Sequence, residues 1–151
     1  MSSTEMKVLI FSLNNEYYGI NIMDVERILG FEKPTLIPDV PHFMEGVINY
    51  ETGILPIINL KKKFSLNPQS SNDQDSKIVV TKEQTNKFGI LVDNVYEVKD
   101  INTSSIEMSK AITSAISGRY IEGLIKLEDN KIVILLNLSK VLTEEENQII
   151  F

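Results

Sequence analysis

The stretch EGVINYETGILPIINL, Glu45 to Leu60, returns as EGLIKLEDNKIVILLNL from Glu122 to Leu138. Both read Glu-Gly, two apolar residues, a short polar turn, an apolar run and Asn-Leu. The repeat extends upstream. Tyr18-Gly19-Ile20-Asn21-Ile22-Met23-Asp24-Val25 runs on to Ile28, and Phe88-Gly89-Ile90-Leu91-Val92-Asp93-Asn94-Val95 runs on to Val98. Each follows another apolar run, Val8 to Leu13 in one case and Ile78 to Val80 in the other. The order strand, strand, strand, connector, strand, strand therefore occurs twice. Self-similarity in fixed order means one supersecondary unit built twice, and this limits the fold more than any other feature.

The units are strands, because the runs are short, rich in Ile, Val, Leu, Tyr and Phe, and bounded by Asn, Gly, Asp and Lys. Asn14-Asn15-Glu16 and Glu83 to Lys87 read as hairpin connections, and Glu51-Thr52-Gly53 and Glu128-Asp129-Asn130 as a matching pair of turns. Five short strands per unit predict an all-β chain of two small five-stranded SH3-like barrels packed together, with short helices. Pro56 predicts an edge position or a bulge. The polar run Ser65 to Ser76 reads as an exposed connector. Met108 to Ser117 fits a short amphipathic helix, Ser139 an N-cap, and Thr143 to Glu146 a capping box. Each half, at roughly 70 residues, is small for independent folding. The expectation is one domain over residues 1–151, with a first barrel at 14–66 and a second at 77–138. The N-terminal strand and C-terminal helix would bridge them, the halves packing on each other through shared strands or through the C-terminal helix.

The net charge is −6, which argues against phosphate backbones and anionic lipid as partners. Lys61-Lys62-Lys63 is the one basic cluster, and it reads as capping a helical turn or solvating a surface. There is no cysteine, so disulfides, thiolate catalysis and cysteine metal sites are absent. MSSTEMKVLIF has neither a basic n-region nor a long apolar run, and no stretch reaches the length of a membrane span. These features fit a cytoplasmic protein.

Catalytic chemistry finds little purchase. His42, the single histidine, stands in PDVPHFMEG without a second ligand or base in sequence reach. There is no phosphate loop and no Gly-x-Ser-x-Gly elbow. Asn72 to Ser76 lacks the central Gly and closing Glu of a calcium loop. No catalytic residue, metal or cofactor is expected. The residues favour a binding module, and they leave open a small-ligand-binding double barrel or a hydrolase whose site assembles from scattered residues.

Taken together, VLIFSLNNEYYGINIMDV, IPDVPHFMEGVIN, ILPIINL, FGILVDNVYEV and YIEGLIKLEDNKIVILLNLSKVL resemble the CheW family of bacterial chemotaxis coupling proteins, from Lys7 to Leu142. The resemblance implies a non-enzymatic adaptor. It would couple the cytoplasmic tips of methyl-accepting chemoreceptors to the double-barrel regulatory domain of a chemotaxis histidine kinase, and be recruited to membrane-bound receptor arrays. An adaptor for a non-chemotaxis client is the alternative. The resemblance implies a receptor side near Val25, Arg27, Gly46, Asn49 and Glu51, and a kinase side on the first barrel between Val25 and Ile58. Val25 reads equally as strand core, and Gly46 as a backbone requirement.

The chain departs from the family pattern twice. Where the family reads Asn-Leu-Arg-Gly, this chain reads Asn49-Tyr50-Glu51-Thr52, and it carries Arg27 where the family commonly has Glu. The expectation is that Arg27 and Glu51 face each other across neighbouring strands as an ion pair of reversed polarity. Such an exposed pair is worth about 0–1 kcal/mol. The alternative is two unrelated surface charges.

Overall fold

The computed structural model describes residues 4–67, 74–82, 86–108 and 119–151. Ten strands account for about half of them: β1 Glu5–Leu13, β2 Glu16–Asn21, β3 Val25–Gly30, β4 Met44–Tyr50, β5 Gly53–Asn59, β6 Lys77–Thr81, β7 Gly89–Val92, β8 Asn94–Asn102, β9 Ile121–Lys126 and β10 Ile132–Leu136. Two short helices, α1 Leu60–Lys63 and α2 Glu144–Ile150, and single 3-10 turns complete the regular structure of the described residues. Three expectations fall half or mostly outside the described residues: the helix from Met108 to Ser117, the connector from Ser65 to Ser76, and the turn from Glu83 to Lys87.

The strands form two five-stranded sheets, ordered β8-β1-β2-β10-β9 and β3-β6-β7-β5-β4. Each curls into a small SH3-like barrel. The two orders match strand for strand under an internal pseudo-twofold, with β3 equivalent to β8, β6 to β1, β7 to β2, β5 to β10 and β4 to β9. The fine details match as well. The parallel β5–β7 pair repeats as β10–β2. The Thr35–Val47 bridge repeats as Glu107–Leu124.

This partition corrects the expected barrel limits of 14–66 and 77–138. β2 lies in the sheet with β8, β9 and β10, while β6 and β7 lie with β3, β4 and β5. Each sequence repeat gives its first two strands to one barrel and its last three to the other. The crossing is local: a single 3-10 turn, Ile22–Asp24, carries the chain from β2 in one sheet to β3 in the other.

Reciprocal exchange also explains the unbroken apolar runs. In β1, Val8 and Ile10 face their own barrel's interior, with Ile101, Ile125, Val133 and Leu135. Leu9, Phe11 and Leu13 face the opposite barrel. β6 does the same: Ile78 and Val80 pack inward with Ile48, Tyr50, Leu55 and Ile57, and Val79 packs outward. A strand buried on both faces has no polar alternation to display. Eighteen buried residues form the cluster between the barrels, against six inside each. The seam is the main core of the molecule.

Asn14 and Asn15, at φ 51° and 66°, make the two-residue turn closing Leu13 opposite Glu16. Glu51 takes φ 52° between Tyr50 and Gly53, and Asn130 φ 65° between β9 and β10. β5 is an inner strand, but at Pro56 it is paired on one side only, so the edge expectation holds for the residue and not for the strand. Pro56 lies opposite Val47 of β4, one residue before the parallel ladder to β7 begins at Ile57, so its missing N–H leaves no gap on that side.

Candidate functional site

The repeated Asn-Leu has a mechanical meaning. Asn59 caps α1 by accepting from the Lys62 N–H, and Asn137 caps the 3-10 turn Leu138–Lys140 by accepting from the Ser139 N–H. The expected cap at Ser139 is thus displaced by two residues. Leu60 and Leu138 are then driven into the seam. The repeated Glu-Gly has a backbone meaning at Gly46. Gly46 stands at φ 139°, and a Cβ there would approach the Thr35 carbonyl oxygen to 2.1 Å.

The three lysines after Asn59 join separate elements. Lys61 pairs with Asp93 at the β7–β8 junction at 2.9 Å, Lys62 with Glu45 of β4 at 2.9 Å, and Lys63 with Glu146 of α2 at 3.2 Å. The Lys61 and Lys63 side chains are mostly buried. Asp93 also accepts from the Asn14 N–H, and Glu45 from the Asn59 amide. Sequence reading saw three solvated or capping lysines; the missing signal was that Glu45, Asp93 and Glu146 come from three distant places. Helix α2 begins with the expected capping box, Thr143 and Glu146 each bonding the other's backbone N–H. Burial pushes the Glu146 carboxyl up, but the Thr143 N–H and Lys63 together hold it below its ordinary value. Ile150 packs against the seam, and the Phe151 ring lies 6.3 Å from Phe88.

The sequence-predicted residues divide by position. Val25 opens β3 half-buried against the seam, and its pseudo-equivalent Val95 does the same at the start of β8. Gly46 is buried within β4. Arg27, Asn49 and Glu51 are exposed. Arg27 and Glu51 do not form the expected ion pair. The Arg27 guanidinium lies 5.6 Å above the Tyr50 ring instead. The ion pair of this region is Glu26–Lys87 at 2.7 Å, and Glu26 also accepts from the Tyr50 hydroxyl. Glu51 stands exposed on the hairpin turn. Hydrogen bonds from Lys87 and Tyr50 hold the Glu26 carboxyl below its usual range. Burial and Glu26 push the Tyr50 hydroxyl up to about 12.

Matched positions of the two barrels carry exposed apolar side chains: Ile28 and Val98, Leu36 and Met108, Ile54 and Ile132. Both barrels therefore present uncovered apolar residues at equivalent places. Among the described residues no group of three or more His, Cys, Asp or Glu is placed to hold a metal. His42 is exposed and contacts Phe43 edge-on. No described helix is long and apolar enough to cross a membrane.

The sequence profile of the CheW-like domain matches residues 7–146. The chain is 34% identical over 138 residues to a chemotaxis protein CheW of Klebsiella aerogenes, covering 91% of this chain and 82% of that one. It is 27% identical to the CheW of Treponema pallidum, over 98% of this chain and 88% of that one. The crystal structure of the scaffolding protein TtCheW from Thermoanaerobacter tengcongensis superposes with a TM-score of 0.79 at 36% identity, covering 89% of this chain and 90% of that one. A double barrel with exchanged strands, a profile match over nearly its whole length and a solved relative of the same shape lead to one conclusion: the chain belongs to the CheW family.

Proposed function

We propose that this chain is a non-catalytic chemotaxis adaptor that couples the cytoplasmic tip of a chemoreceptor to the regulatory domain of a histidine kinase. The observation that carries this reading is the pair of barrels with equivalent exposed apolar positions, set rigidly by a common core. Two docking faces on one rigid body raise the effective concentration of one partner near the other without any chemistry. The scaffolding title of the TtCheW structure and the chemotaxis names of the relatives support it.

Arg27, Asn49 and Glu51 form the exposed part of the receptor-facing surface. Val25 lends it an apolar floor, and Gly46 holds β4 in the shape the surface needs. The adaptor works on the cytoplasmic side, recruited to receptor arrays, and signal passes as a shift in how its interfaces pack. Calorimetry with a receptor cytoplasmic fragment and with the kinase regulatory domain tests this. Binding of both, with Arg27→Glu weakening the receptor alone, supports it. Binding of neither leaves a CheW fold with another client.

A further inference from the structure

Helix α2 is held to the seam by few contacts. None of its residues is buried. Its backbone bonds among the described residues stay local, the Asn147 N–H donating to the Thr143 carbonyl and the Phe151 N–H to the Asn147 carbonyl, so no strand holds it by a ladder. The capping box is internal as well. Three side chains attach it to the rest of the described fold: Glu146 to Lys63 at 3.2 Å, Ile150 to the seam, and Phe151 to Phe88 with ring centroids 6.3 Å apart. Val141 and Leu142, just before it, are buried. A firmly seated stem carrying a lightly held helix is a low-stability unit with its hinge at Thr143.

A short route joins this helix to Val25. Phe88 is bonded to Thr81 in both directions: the Thr81 N–H donates to the Phe88 carbonyl at 2.9 Å, and the Phe88 N–H donates to the Thr81 hydroxyl at 3.2 Å. Thr81 is buried and stands opposite Val25 in the β3–β6 ladder. One residue on, the Lys82 N–H donates to the Asp24 carbonyl at 2.8 Å. Asn147 of α2 lines the same crevice as Asp24, Thr81 and Phe88. The equivalent end of the other barrel is built differently. Val95 stands opposite Phe11, which is fully buried and stacks on Tyr18 at 6.0 Å. Val95 therefore leans on the core itself, and Val25 leans on a bonded pair that α2 touches.

We infer that α2 is a regulatory strap. It opens and closes as a unit while the double barrel stays folded, and its docked state holds the Val25 end of β3 in the form that binds the receptor. With Phe151 in place, Phe88 is clamped between the strap and Thr81, and Val25 keeps its register. Once the strap leaves, the Phe88 ring faces water and that clamp is lost. One element with two states, each biased by both ends of the route, gives the coupling its physical basis. The regulatory consequence rests on the receptor-facing reading of Val25; the opening of the strap does not.

The test compares the ¹⁵N-labelled full chain with a variant carrying Ile150→Ala and Phe151→Ala, which strips the apolar contacts of the strap and leaves its cap and Glu146 in place. NMR spectra check that the variant folds. In the unaltered chain the α2 amides are expected to show protection factors about a hundredfold or more below those of Val79 and Ile90, whose buried strands open with the whole fold. In the variant α2 loses its protection, and the amide signals of Phe88, Thr81 and Val25 move while that of Val95 stays. Equal protection in α2 and the core overturns the strap, and unmoved signals at Thr81 and Val25 overturn the route. A saturating receptor cytoplasmic fragment is then expected to raise α2 protection about fivefold or more, and the variant to bind that fragment more weakly by the same factor, as linkage requires. Unchanged or lower α2 protection on binding, or undiminished affinity of the variant, overturns the regulation. A fragment that binds neither chain overturns the receptor reading instead, and the exchange and the shifts alone decide the strap.

Discussion

At the scale of the residue, Gly46 is where the fold is least tolerant. Its φ of 139° and the nearness of the Thr35 carbonyl both forbid a side chain. Gly46→Ala is expected to cost more than about 2 kcal/mol, through strain and overpacking together. Gly53→Ala, with open space around it, is expected to stay within about 1 kcal/mol; urea denaturation of the pair measures the difference. The Glu-Gly spelling was visible in the sequence, but the carbonyl that makes glycine compulsory comes from Thr35, eleven residues upstream. Tyr50 gives a second test. Its hydroxyl is held protonated up to about pH 12 by burial and by its bond to Glu26. Glu26→Gln removes the negative acceptor, so the Tyr50 titration followed by ultraviolet absorbance moves to lower pH. The Arg27–Glu51 pairing was not decidable from the sequence because complementary charges there do not say which groups meet; Arg27 lies over the Tyr50 ring, and Glu26 holds the Tyr50 hydroxyl and Lys87.

At the scale of the element, α1 is four residues long, yet its lysines tie down β4, the β7–β8 junction and α2. So short a helix has little stability of its own, and it stands on its cap, its buried Leu60 and these three pairs. Asn137→Ala, which removes the matching cap on the other side, is expected to cost about 1 kcal/mol. Helix α2 carries a pH dependence whose sign follows from Glu146. Its folded-state carboxyl titrates below the ordinary range, so the stabilisation is complete above the unfolded value and is lost as pH falls through the folded one. The protection factors of the α2 amides, taken against the intrinsic exchange rate at each pH, should therefore fall below about pH 4. In Glu146→Gln they should already be reduced at neutral pH and change little with acid. The capping box was legible because both partners lie within four residues. The lysine pairs were not, because their carboxylates arrive through the tertiary fold.

At the scale of the whole molecule, the sequence showed two copies of one unit but not how they interlock. Own-repeat and exchanged pairings satisfy the same hydrophobic pattern strand by strand; the fold takes the exchanged one, crossing between the barrels at the 3-10 turn after β2. Exchange makes the barrels inseparable. Residues 25–92 contain every strand of one sheet, yet alone they expose Ile58, Leu60, Val79, Phe88, Ile90 and Val92 of the shared core. Expressed by itself, this segment is expected to lack the near-ultraviolet circular dichroism and dispersed NMR spectrum of packed side chains. The rigidity that follows lets two surfaces be held at fixed separation, and the central claim is that they serve two partners at once. The most direct measurement is sedimentation of the chain with both a receptor fragment and the kinase regulatory domain, comparing Ile54→Asp in one barrel with Ile132→Asp in the other. The account predicts a ternary complex from the unaltered chain, with each substitution removing one partner and sparing the other. A chain that releases one partner whenever it takes up the other would contradict it.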